Sequence, residues 1–205
     1  MASASPRRQA LVELLGLVCR VAPADIDEAT YLLAEPNVAA VNVAVAKARA
    51  VRADPEEIVV AADTLVVSDD EIFAKPATPG EARAMLDRLR GRAHQVMTGV
   101  VVQRDDLRWA GAVSTRVLMR AYTALEVEAY VARGEPFDKA GGYAVQDETF
   151  RPVERLEGCY LNVVGLPLCG VAAGLNALDV NVTPAGPTAA CEYCRRGRPL
   201  VSRSG

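Results

Sequence analysis

The sequence is poor in the residues that most often announce a chemistry. It has one histidine, one tryptophan and three phenylalanines in 205 residues. A single histidine, His94, excludes a metal centre built on several histidines, and it reads as a hydrogen-bonded residue at the start of a strand. Long apolar runs are missing. The run at residues 58–62 is far short of the ~18 residues that span a bilayer. Excess positive charge is missing too: the net charge is −3. That argues against stable nucleic-acid binding, yet it leaves room for a small anionic ligand, because local clustering matters more than the total. The cysteines number five, an odd count. No charged segment followed by an apolar stretch opens the chain, so a disulfide framework is not expected and the cytoplasm is the expected compartment.

What is present is a globular composition, 51% apolar and 24% charged, of a length that suits one domain. Ser5 and Pro6 suit a helix N-cap and first turn, with Leu11, Val12, Leu14 and Leu15 as its apolar face and Gly16 as its end. Residues 18–22 read as strand-like and 37–53 as an Ala- and Val-rich helix. The run at 58–62 reads as a strand covered on both faces that stops at Asp63-Thr64, with residues 65–67 continuing extended. Asp69-Asp70 offers a turn. Thr78-Pro79-Gly80-Glu81 and Thr123-Ala124-Leu125-Glu126 read as capping boxes opening helices. Alternation at Val96, Thr98, Val100 and Val102, and at Val113, Thr115, Val117 and Met119, predicts a hairpin turning at Asp105-Asp106. Short strands are expected near 152–156 and 160–164, then a helix from about 166 to 178. The fold class is α/β, a mixed sheet with flanking helices. Residues 1–178 form the expected domain. Residues 179–205, rich in Pro, Gly, Ser and Arg, read as a flexible C-terminal tail.

Candidate chemistry lies in a few places. A helix N-terminus attracts phosphate, and Arg7 and Arg8 add bidentate donors at Ser3-Ala4-Ser5-Pro6-Arg7-Arg8. Asp63-Thr64 follows a buried strand, where a carboxylate can hold a metal or activate water. Asp27 and Glu28 lie in an acidic turn; Lys47 and Lys75 supply positive charge. Each of these has a bland alternative as a cap, a turn residue or a solvated charge. Together they meet the needs of phosphoanhydride cleavage, in which carboxylates bind a divalent cation and lysines and arginines neutralise the phosphates. Cys191-Glu192-Tyr193-Cys194 lacks a second ligand pair for structural zinc and reads as incidental.

In order along the chain stand S-A-S-P-R-R at Ser3 to Arg8, D-I-D-E at Asp25 to Glu28, and A-K-A-R-A at Ala46 to Ala50. A-A-D-T at Ala61 to Thr64, K-P at Lys75-Pro76 and H-Q-V-M-T-G at His94 to Gly99 follow. G-E-P-F-D-K-A-G-G-Y at Gly134 to Tyr143 and N-V-V-G-L-P-L at Asn162 to Leu168 complete the set. With these blocks the chain resembles the Maf family of nucleoside triphosphate pyrophosphatases, which have an ITPase-like fold. The resemblance implies cleavage of a nucleoside triphosphate to monophosphate and pyrophosphate with a divalent cation, Mg²⁺, Mn²⁺ or Co²⁺, in a homodimer. It implies Asp63 as the catalytic carboxylate and metal ligand and Glu28 as a metal ligand. It assigns Arg8, Lys47 and Lys75 to the phosphates, supported by Ser5 and Arg7. Arg7, Thr64 and Gln146 match the dTTP/UTP branch rather than the 7-methyl-GTP branch, and a glutamine amide suits a pyrimidine edge. A non-catalytic nucleotide-binding regulator of cell division would lack the carboxylates, and both are present. The chain departs from the family in its short first strand, in Asp147-Glu148-Thr149 where a glycine-rich turn is usual, and in its tail.

Overall fold

The computed structural model describes residues 1–32, 34–182 and 200–201. Among the described residues six α-helices run α1 Pro6–Glu13, α2 Pro36–Ala50, α3 Pro79–Leu89, α4 Ala124–Ala132, α5 Tyr160–Val164 and α6 Leu168–Ala177. The strands among the described residues run β1 Val59–Ser68, β2 Glu71–Phe73, β3 Ala93–Arg104, β4 Leu107–Met119, β5 Val153–Glu157 and β6 Leu200–Val201. The α/β class and the flanking helices agree with expectation. The pairs β1·β2, β4·β5 and β4·β6 run antiparallel. The chain divides into two compact units, one of residues 1–64, 97–114 and 158–205, the other of 65–96 and 115–157.

In the first unit β1, β3 and β4 contribute their segments 59–64, 97–104 and 107–114, and β6 pairs β4 at Gly111 and Ala112. Side chains alternate along a strand, and here the alternation sorts two cores. Val60 and Ala62 join Val100, Val102 and Val113 under Leu11 and Val12 of α1, Leu161 of α5, and Leu168, Val171 and Leu175 of α6. Val59 and Ala61 join Val101 under Ala44 and Ala48 of α2. The buried stripe of α2 is Ala39, Ala40, Val43, Ala44, Lys47 and Ala48, a helical spacing of small residues with one lysine in it. Small residues let α2 lie close to β3. A Cβ on Gly99 would stand 2.3 Å from the Ala40 carbonyl carbon and oxygen, so no larger residue fits there without moving the helix.

Two expected strands are absent. Residues 18–22 form no strand and make two backbone hydrogen bonds with Met1, from Ala22 N–H to the Met1 carbonyl and from the Met1 ammonium to the Arg20 carbonyl. Two bonds do not build a ladder, and Val18 lies in solvent. Residues 160–164 form helix α5 instead of a strand, ended by Gly165 at φ 127°. Five mixed residues cannot separate a period of 2 from one of 3.6, and the buried Leu161 and Asn162 are adjacent, as on a helix face. The expected tail and its C-x-x-C lie largely outside the described residues. Val180 and Val182 still pack against the core that α6 joins.

In the second unit the order is β2-β1-β3-β4-β5. Asp69 and Asp70 turn β1 into β2 with φ of 49° and 62°, the left-handed pair that a two-residue hairpin demands and that Asp tolerates. Thr123 and Glu126 close a full capping box on α4. Thr78 caps α3 through the Glu81 N–H, while the Glu81 carboxylate accepts from Ala77 N–H, one residue off the reciprocal pattern. His94 Nε2 lies 2.7 Å from the Tyr143 hydroxyl. Burial drives the His94 pKa down to about 4, so the imidazole is neutral at pH 7. Unfolded His94 takes up a proton near pH 6.5. Above that pH His94 costs the fold nothing; as pH falls toward 4 the unfolded state gains a proton that the folded state refuses, and stability drops. Thermal melts across pH 7 to 4 should therefore show a steeper loss for the wild type than for His94→Gln, a difference approaching about 3 kcal/mol. Parallel curves would show that His94 does not contribute to the acid sensitivity.

Candidate active site

Asp63 and Thr64 are mid-strand residues of β1, which continues to Ser68 rather than stopping where the apolar run stops. Alternation sends them to opposite faces. Asp63 follows Val59 and Ala61 toward α2, and Thr64 follows Val60 and Ala62 toward α1 and α6.

On the α2 face the Lys47 ammonium stands 2.7 Å from Asp63 Oδ1 and 2.7 Å from Glu28 Oε1. Lys47 and Asp63 are 9% and 6% exposed. Such a pair holds together because each charge, left alone, would be costly to bury. Burial pushes the Asp63 pKa above the ordinary aspartate value, opposed by the Lys47 and Arg8 charges. Glu28 opens a 3-10 turn, residues Glu28–Tyr31. Its neighbour Asp27 is spent on that turn, accepting from Ala29 N–H and the Thr30 hydroxyl. Of the two acids in the turn, Glu28 is the one whose carboxylate reaches Lys47.

On the other face Arg8 reaches from the first turn of α1. Its Nε donates to the Gly165 carbonyl at 2.8 Å, Nη1 to the Ala62 carbonyl at 2.7 Å and Nη2 to Thr64 Oγ1 at 2.9 Å. Thr64 Oγ1 also lies 2.9 Å from Thr98 Oγ1. Three of the five guanidinium N–H groups thus serve the protein. Ser5 is the N-cap of α1 and lends no side-chain bond to the helix. Arg7 is half-buried in the same first turn. These seven residues, Ser5, Arg7, Arg8, Glu28, Lys47, Asp63 and Thr64, all belong to the first unit.

Lys75 and Gln146 belong to the second, and both are exposed. Lys75 follows β2 at a point where Gly141 N–H donates to the Ala74 carbonyl. Gln146 follows the buried Tyr143 and Ala144. The acidic neighbour Asp147 is consumed locally, accepting from the Arg133 guanidinium and from Thr149 and Phe150 N–H. Burial pushes its carboxyl up, but those hydrogen bonds outweigh it and hold the pKa below the ordinary value. The charge of Asp147 is therefore neutralised where it stands.

A family model described as Maf-like protein matches residues 1–178. The chain belongs to the Maf-like family. It is 49% identical over 170 residues to a dTTP/UTP pyrophosphatase of Thermomicrobium roseum, covering 82% of this chain and 78% of that one. It is 44% identical over 185 residues to a protein of the same name from Moorella thermoacetica, covering 89% and 95%. With the dTTP/UTP pyrophosphatase of Syntrophomonas wolfei it shares 40% over 185 residues, covering 89% and 98%.

Two groups in this Maf-like chain take part in the constellation without having been singled out by sequence. Thr98 is the one hydroxyl in the series Val96, Thr98, Val100, Val102, and the Gly165 carbonyl carries no side-chain signal at all. Lys47, whose bland alternative is a solvated charge, is instead buried; the signal is its place four residues after Val43 and three after Ala44, on the buried stripe of α2. Its ammonium is the counter-charge for Asp63. Lys47→Met should destabilise the fold by about 3 kcal/mol, because it strands a buried carboxylate. Lys47→Met combined with Asp63→Asn should recover part of that loss. Additive effects in a denaturant-melt double-mutant cycle would show that the pair is not coupled.

Proposed function

We propose that this Maf-like chain hydrolyses dTTP and UTP to the monophosphate and pyrophosphate. The observation that carries the reading is the buried Lys47 ammonium with Asp63 and Glu28 at 2.7 Å each, in a chain whose relatives bear the name dTTP/UTP pyrophosphatase.

The donor set fits a hard divalent cation such as Mg²⁺, Mn²⁺ or Co²⁺. Two carboxylates converge on one point, and Mg²⁺ is commonly held by one or two carboxylates together with substrate phosphates. Among the described residues no three His, Cys, Asp or Glu side chains gather, so Glu28 and Asp63 would share the cation with the nucleotide. When bound, such a cation neutralises charge on the phosphates and acidifies a water.

Asp63 accepts the proton of the water that attacks the α-phosphorus, and the bond to the bridging oxygen of pyrophosphate breaks. Burial favours this proton transfer by raising the carboxylate's basicity, while Lys47 keeps it ionised beforehand. Arg7, Arg8, the N-terminus of α1 at Ser5 and the Lys47 ammonium hold the phosphates, and the family resemblance assigns Lys75 to them as well. Gln146 selects the base, its amide donating to O4 and accepting from N3–H of uracil or thymine. Thr64 has its hydroxyl committed to Arg8 and Thr98, so it acts on selection through its bulk and through Arg8.

Product analysis decides among the alternatives. Purified protein with dTTP, UTP, CTP or 7-methyl-GTP and Mg²⁺, Mn²⁺ or Co²⁺ should release pyrophosphate, fastest from dTTP and UTP, and chelation should stop it. Asp63→Asn should lower kcat by roughly 10²-fold or more, the scale of a lost general base. Orthophosphate with a nucleoside diphosphate would refute the bond of attack. Faster cleavage of 7-methyl-GTP than of both pyrimidine nucleotides would move the chain to that branch of activity.

A further inference from the structure

The buried face of β3 carries Thr98 in line with Val100 and Val102, and Thr98 is fully buried. Valine has the same shape and the higher affinity for such a place, so a hydroxyl is retained at a cost unless it makes a hydrogen bond. Its partner is Thr64 Oγ1 at 2.9 Å. Thr64 Oγ1 also meets Arg8 Nη2 at 2.9 Å, which can only donate, and the Gly165 carbonyl at 3.4 Å, which can only accept. A hydroxyl has one proton and two lone pairs. The arrangement that satisfies every group has Thr64 donating to Gly165 and accepting from both Arg8 and Thr98. Arg8 in turn donates to the carbonyl of Ala62 and the side chain of Thr64. These are the residues immediately before and after Asp63, so the guanidinium brackets the backbone that carries the carboxylate.

We propose that Thr98 is a positioning residue for Asp63, acting through the Thr98–Thr64–Arg8 hydrogen-bond relay that clamps β1 on both sides of the carboxylate. This rests on the reading of Asp63 as the proton acceptor. Thr98 lies on the α1 and α6 face with Thr64, opposite the α2 face where the carboxylate is paired. Its effect through Asp63 falls on turnover, and only the part that passes through Arg8 to the phosphates falls on KM.

The test compares Thr98→Val, which keeps shape and loses the donor, with Thr98→Ser, which keeps the donor. Thr98→Val should lower kcat for UTP about tenfold with KM within about threefold, the scale of a small misplacement of a reacting group. Thr98→Ser should stay within about threefold of wild type, and both should melt close to wild type. The second readout is hydrogen exchange of the Arg8 Nε–H, whose NMR signal is identified by its loss in Arg8→Lys; it should exchange at least about tenfold faster in Thr98→Val than in wild type. Wild-type kcat in Thr98→Val, an effect on KM alone, or loss of activity in both variants in step with a lowered Tm overturns the proposal. If the wild type cleaves no nucleoside triphosphate, the activity reading has failed and the exchange rate decides: faster exchange in Thr98→Val supports the relay, and unchanged exchange overturns it.

Discussion

Asp63 is a carboxylate in the middle of a buried strand, and most of the first unit's chemistry follows from keeping it charged there. Nine of the ten residues of β1 are buried, so no solvent is at hand to stabilise the anion. The Lys47 ammonium supplies the opposite charge, and it can do so only because it sits on the buried stripe of α2. That stripe is otherwise alanine and valine, and it meets β3 at Gly99 with no room for a side chain between them. The electrostatics of the candidate site therefore depend on small residues that have no chemistry of their own. The half-exposed Glu28 is the other side of the same ammonium. The Lys47 ammonium is thus shared between two carboxylates.

The strand's period of two separates the site into two faces. Asp63 and Thr64 are adjacent in sequence, yet they join different cores and different helices. One face carries charge in Lys47, Asp63 and Glu28. The other carries a hydrogen-bond relay in Arg8, Thr64, Thr98 and the Gly165 carbonyl. Arg8 couples the two, because its bonds fall on the residues flanking Asp63. Its planar fork ties α1 to β1, a task for which a lysine has neither the donors nor the geometry.

Acidic residues that crowd the sequence near the site are largely accounted for by turns. Asp27 caps the 3-10 turn that presents Glu28. In the second unit Asp147 closes the turn at 147–150 and pairs with Arg133. Asx-type capping consumes short carboxylates locally, and the glutamate between or beyond them keeps its reach. This division of labour explains why a loop with several acids presents one of them to the ammonium.

The sequence by itself determined the α/β class, the start of α1, the capped helices α3 and α4, the β3–β4 hairpin and its turn, and the family, because each of these rests on local chemistry or on ordered blocks of residues. It also named Asp63, Glu28, Lys47 and Arg8 as belonging together, through the resemblance those blocks carry. Short segments were beyond it: residues 18–22 and 160–164 hold too few residues for their periodicity to distinguish strand, helix and coil, and what decided them was whether a neighbour offered a ladder or a glycine ended a turn. Tertiary structure alone decided how the candidate site residues are paired. Strand parity set Asp63 against Lys47 and Thr64 against Arg8, and the fold brought the Gly165 carbonyl from 157 residues away to the Arg8 guanidinium. Partnership across such a distance is fixed by packing, and neither residue type nor spacing records it.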